Sequence, residues 1–204
     1  MISDSRIAQR LLQISLNGKV TRWHTEAGQL NEVQTIAQHS FNMVFILHAI
    51  TPETLLDYNL VMACLQHDMA ERVTSDISKV AKIHLGVENK LKELENRVIK
   101  EMGLLDISIS SLKKEYLDAA DMIELQLHLT DELLKGNDYA KIFIDRVKKI
   151  RRKAYHLNGR TKKIFDELDS ALTDKEGFLR RLQEIDFWQS IKSVELQGDA
   201  VPSG

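Results

Sequence analysis

A chain of 204 residues, 43% apolar and 28% charged, is long enough to bury a core without cross-links. Its formal net charge of −2 excludes a global field that would recruit nucleic acid or an anionic membrane. A single cysteine, Cys64, excludes an internal disulfide, and no apolar run reaches transmembrane length. The start of the chain lacks the basic-then-apolar order of a signal peptide, so a reducing cytoplasmic setting is expected.

Two prolines and nine glycines are the main breaks, and alternating β-branched runs are almost absent. The periodicity predicts an all-α protein, read as one domain over residues 1–192 with a disordered tail, 193–204. A first helix is expected from about Ser5 to Leu16, capped by Ser3 or Asp4, with Ile7, Leu11 and Ile14 facing inward. Residues 18–34 form a polar connector carrying Arg22, Trp23 and His24; such a length inside a compact domain is functional or mobile. A second helix runs from near Thr35 to Ile50. Ile36, His39, Met43 and Ile46 share one side, and Phe41, Val44, Phe45 and His48 the next. Thr51-Pro52 is expected to cap and start a short turn.

A third helix, about Asp57 to Asp68, is nearly all apolar in its middle and is expected to be the buried central helix. Its last turn delivers His67 and Asp68. Residues 72–85 are mixed. Gly86 precedes an amphipathic helix, Val87 to Met102, that Gly103 ends. A long helix from about Ser111 to Lys135 carries Asp121 near its middle and closes at Gly136-Asn137. Residues 138–156 and 160–192 are expected to form two more helices.

The stretch Leu65 to Asp76, LQHDMAERVTSD, gathers His67, Asp68, Glu71 and Asp76. On a continuing helix Glu71 stands four residues from His67 and three from Asp68, so the three share a face. Charges at the end of a buried helix need partners, and a divalent cation is an efficient one. His39 lies among apolar residues on the second helix. Asp121 has Leu117, Ile123 and Leu125 for neighbours and needs a cation or a donor. Two imidazoles and two carboxylates make a mixed nitrogen and oxygen shell, suited to Mn, Fe, Co, Ni or Zn rather than Ca. Cys64 reads as a buried small hydrophobe, and His48, His84, His128 and His156 as boundary residues. The basic run Arg146 to Lys153 is spread around a helix, which suits solvent or an oligomer face better than nucleic acid. No Walker-type loop, CxxC or GxSxG is present.

His39, His67-Asp68 and Asp121, in this order on a helical chain, resemble the HD-domain metal-dependent phosphohydrolases. The likeness is greatest to the bacterial HD-domain 5′-deoxynucleotidases and the bacteriophage dATP triphosphohydrolases. It is carried by Arg22-Trp23, by Gln38-His39-Ser40 where that family has EHS, by HDMAE from His67 to Glu71, and by Thr74-Ser75-Asp76. It spans roughly Arg6 to Asn137. Ser75 stands where the family usually has glycine, and the following ISKVAKI has no proline.

The resemblance implies an HD-domain helical bundle in which His39, His67, Asp68 and Asp121 hold one divalent transition metal, with additional Mg accompanying a polyphosphate substrate. Asp68, Glu71 and Arg22 are then the catalytic residues: Glu71 orients water or protonates the leaving oxygen, and Arg22 clamps a phosphate bidentately. Trp23 packs on the sugar, Asp76 accepts from its 3′-hydroxyl, and Lys79 and Lys82 neutralise further phosphates. The implied reaction is cleavage of a deoxyribonucleotide at its α-phosphate, dATP giving deoxyadenosine and triphosphate. The alternatives are a 5′-monophosphatase of broad base tolerance and a catalytically silent nucleotide-binding regulator, against which the intact ligand set argues. The expected partners are the nucleotide and further copies of the chain, joined partly through helices after Asn137, and neither nucleic acid nor membrane. The setting is the cytoplasm, that of the host if the protein is phage-encoded.

Overall fold

The computed structural model describes residues 7–22, 33–74, 84–104 and 107–184. Among these the protein is all-α, with no strand and one isolated antiparallel bridge, Thr21 to Thr35. In chain order the helices are α1 (Ile7–Asn17), α2 (Ile36–Ile50), α3 (Tyr58–Gln66), α4 (Glu71–Thr74) and α5 (Glu88–Glu101). They are followed by α6 (Ser111–Leu134), α7 (Ala140–Ile150), a 3₁₀ turn (Arg151–Ala154), α8 (Gly159–Thr173) and α9 (Lys175–Glu184). None of them is long and apolar enough to cross a membrane.

The helix ends follow local chemistry. Thr35 and Gln38 form a reciprocal capping box at the start of α2. Asp57, Ser110 and Asn158 each accept a backbone N–H at the starts of α3, α6 and α8. At Gly103 and Gly136 the chain turns into the left-handed region, with φ of 69° and 94°. There the N–H groups of the glycine and the next residue return to the last carbonyls of α5 and α6.

The central helix is α6, not α3 as its apolar run suggests. α6 packs against α2, α3, α7, the 3₁₀ turn and α8. Its buried residues recur at helical spacing: Leu117, Ala120, Ile123, Leu129 and Leu133. Met43, Leu47 and Ile50 of α2, Leu60 and Cys64 of α3, and Phe165 of α8 complete the main core. A second cluster joins Leu129 and Leu133 to Ala140, Phe143, Ile144 and Val147 of α7. α3 buries only one stripe, and its Tyr58 and Leu65 are exposed.

Other expectations are corrected. Leu11 faces solvent rather than the core, being 60% exposed. The expected start of the first helix at Ser5, and its expected caps Ser3 and Asp4, lie outside the described residues. Thr51 closes α2 rather than capping a new start, its N–H reaching the Leu47 carbonyl, while Pro52 opens the short turn expected there. The last expected helix, 160–192, is broken at Asp174, whose carboxylate accepts the Gly177 N–H and so restarts the chain as α9. Arg151 is not a surface member of its basic run. It is 5% exposed, donates to Gln126 and to both oxygens of Asp169, and lies over the Phe165 ring.

Candidate metal centre

His67 and Asp68 sit in the break between α3 and α4. His67 caps α3 in helical conformation, and the turn that follows is tightened by Met69 N–H to Gln66 and Glu71 N–H to Asp68 carbonyl bonds. The expected continuous α-helix is therefore absent. Glu71 is half-buried.

α2 brings His39 to the same point, fully buried, and α6 brings Asp121. His39 Nε2 lies 3.2 Å from His67 Nε2 and 3.3 Å from Asp121 Oδ1. Asp68 Oδ2 lies 3.2 Å from His67 Nε2 and 3.7 Å from His39 Nε2. His39, His67 and Asp121 form a set whose donor atoms lie within 4.8 Å of one another. The Asp121 side chain is 48% exposed, the open edge of a site whose other side is buried.

The opposite nitrogen of each imidazole decides what these atoms can do. His67 Nδ1 lies 2.6 Å from the Cys64 carbonyl, which can only accept, so Nδ1 carries the proton. His39 Nδ1 lies 2.6 Å from Glu124 Oε2, and donates to it. With each Nδ1 so committed, the two Nε2 atoms face each other across 3.2 Å, where both can ligate one cation. Metal–ligand bonds of about 2.1 Å place neighbouring ligand atoms roughly 3.0–3.4 Å apart, which the separations of 3.2, 3.3 and 3.2 Å match and the 3.7 Å from Asp68 to His39 exceeds. Two imidazole nitrogens with carboxylate oxygens suit a transition metal.

Arg22 reaches the site because the ends of the connector are stitched together. Arg22 N–H donates to the Gln34 carbonyl, Ile36 N–H to Val20 and Ala37 N–H to Gly18. The described ends of the connector, up to Arg22 and from Val33, are thus held against each other. The Arg22 guanidinium lies 2.9 Å from Asp68 Oδ2 and 3.8 Å from Asp121 Oδ1.

These charges shift one another. Burial opposes ionisation of Asp68, but His67, Arg22 and His39 outweigh it and hold the carboxyl well below the usual range. Asp121 is likewise lowered, against burial, by His39 and Arg22. Glu124 is lowered by the His39 hydrogen bond, again against burial. Burial disfavours charged His67, yet Asp68 and Asp121 leave it raised. Burial, with Asp121 and Asp68, pushes the Cys64 thiol up to about 12, so it stays a packed thiol.

The structure thus brings together Arg22, His39, His67, Asp68 and Asp121. Trp23, His24, Asp76, Lys79 and Lys82 lie outside the described residues. Three contributors have no signal in their residue type: Glu124, with its donors Gln34 and Asn42. The nearest clue is the spacing of Glu124, three residues after Asp121 and flanked by Ile123 and Leu125.

Residues 19–150 match the HD domain family, and the chain belongs to that family of metal-dependent phosphohydrolases. A crystal structure of the PH0347 protein from Pyrococcus horikoshii OT3 is similar, with a TM-score of 0.53 and 19% sequence identity. That similarity covers 78% of this chain and 99% of the archaeal one, and it shows the fold. No curated protein matches the sequence.

Proposed function

We propose that the protein is a metal-dependent phosphohydrolase of deoxyribonucleotides that cleaves at the α-phosphate, releasing the deoxynucleoside, with dATP the first substrate to try. The observation that carries the hydrolase reading is the convergence of the His39 and His67 Nε2 atoms beside Asp121, each ring with its Nδ1 already committed. The choice of deoxynucleotide rests on the sequence resemblance, through Arg22-Trp23 and the stretch from His67 to Asp76.

His39, His67, Asp68 and Asp121 would hold the metal, and a bound divalent ion would supply Lewis acidity and an activated water. Asp68 holds Arg22 at this centre, 2.9 Å away, where the guanidinium can grip a phosphate with two parallel bonds. Glu71, whose backbone N–H bonds the Asp68 carbonyl, orients the attacking water or protonates the leaving oxygen. Trp23 packs on the deoxyribose, Asp76 accepts its 3′-hydroxyl, and Lys79 and Lys82 neutralise phosphates beyond the first. The open edge at Asp121 favours a substrate with more than one phosphate.

A panel of deoxyribo- and ribonucleotides, each with Mn, Co, Zn, Ni or Mg, tests the proposal. Deoxyribonucleotides should be hydrolysed and their ribose counterparts poorly, because an indole against C2′ leaves no room for a hydroxyl. Equal turnover of dATP and ATP contradicts the role of Trp23. No turnover with any metal, in a protein that binds metal, favours the silent nucleotide-binding regulator.

A further inference from the structure

We propose that Glu124 is a positioning residue of the metal centre, fixing the His39 ring and joining it through Gln34 to the segment that carries Arg22. The inference rests on the metal-centre reading above.

Glu124 is 2% exposed, where an unsatisfied carboxylate would be costly. It is satisfied on both oxygens. His39 Nδ1–H donates to Oε2 at 2.6 Å, while Gln34 Nε2 and Asn42 Nδ2 donate to Oε1 at 2.6 and 3.0 Å. The donors come from the end of the connector and from α2, and the acceptor from α6, three residues after Asp121. The first bond keeps the proton on Nδ1 and turns the Nε2 lone pair toward His67 and Asp121. The bond from Gln34 does a second thing. The Gln34 carbonyl accepts the Arg22 N–H at 2.8 Å, so one residue holds Arg22 by its main chain and Glu124 by its side chain. Gln34 thereby ties the Arg22 main chain to the residue that fixes the His39 ring, while Asp68 holds the guanidinium itself.

Glutamine at position 124 cannot reproduce this. An amide has one acceptor oxygen, so either His39 or the Gln34 and Asn42 amides must face its NH₂. Glu124→Gln is therefore nearly isosteric but wrong for the network. Glu124→Asp keeps both acceptor oxygens and is shorter by one methylene.

Metal-free protein is titrated with Co(II), read by the visible absorption of the bound ion, with circular dichroism as the check of folding. Glu124→Gln should weaken Co(II) binding about 10- to 100-fold, and Glu124→Asp should restore part of that loss. Gln34→Ala should leave Co(II) affinity within about threefold of wild type but raise KM more than it lowers kcat, since it loosens the Arg22 segment and spares the ligands. Nitrogen NMR of metal-free wild type at alkaline pH should find the His39 proton on Nδ1. That reading stands whether or not the Gln variant folds, and a proton on Nε2 overturns the inference. Wild-type affinity in folded Glu124→Gln overturns it too. A wild-type protein that takes up no Co(II) overturns the metal-centre reading, and this inference with it.

Discussion

His39 and His67 illustrate how residue type and residue geometry divide the labour. An imidazole in an apolar run is ambiguous by type alone; what defines these two is that each has its Nδ1 proton committed elsewhere. His67→Ala and Asp121→Ala each remove a donor from the convergent set and should lose bound metal and turnover together, read by elemental analysis and phosphate release. Glu71→Gln should retain the metal yet lose turnover about 10²-fold or more, as removal of a general acid or base does. Metal loss from Glu71→Gln would make that residue a ligand. His39, His67, Asp68 and Asp121 were legible in the sequence only as an ordered set, and Arg22 only through the family resemblance; the structure brings the five side chains together. Glu124 was not legible, because its meaning lies in a bond to His39 across 85 residues, and no local pattern encodes that pairing.

At the scale of elements, the helix boundaries that were readable are those governed by short-range chemistry. Thr35, Ser110, Gly103 and Gly136 act within a few residues of themselves. What was not readable is which helix the others surround. α3 has the denser apolar run, but α6 is longer and offers apolar residues to several neighbours, so it becomes the centre. Arg151 shows the same limit. In sequence it is one of a run of bases, yet the turn after α7 rotates it inward onto Asp169 of α8 and Gln126 of α6. Burial raises the Asp169 carboxyl, but its hydrogen bonds from Arg151 outweigh that and leave it lowered. A carboxyl lowered on folding stabilises above its unfolded-state pKa, about pH 4, and loses that contribution as pH falls through the folded value. Asp169→Ala, which strands the buried guanidinium, should therefore cost about 3 kcal/mol at pH 7. The gap to wild type should shrink progressively below about pH 4, as urea unfolding at both values would show. An undiminished gap in acid would mean that Asp169 contributes by packing rather than charge.

For the molecule as a whole, order along the chain was the informative property. Ligand candidates from α2, the α3–α4 turn and α6 fall within residues 19–150, the span that matches the HD domain family, and they meet at one point. We propose that copies of the chain associate through helices after Asn137. Tyr139, Ile142 and Ile150 supply an exposed apolar stripe there, at helical spacing on and beside α7. Light scattering at micromolar concentration should find a homo-oligomer that Ile142→Lys dissociates; a wild-type monomer contradicts this. The central claim is that one metal held by His39, His67, Asp68 and Asp121 serves hydrolysis at the α-phosphorus of a deoxynucleotide, with Arg22 gripping the phosphate next to the sugar. Chromatography of a dATP digest by metal-loaded protein tests it most directly. The account predicts deoxyadenosine and intact triphosphate as the first products, and accumulation of dADP, or of dAMP with pyrophosphate, would contradict it.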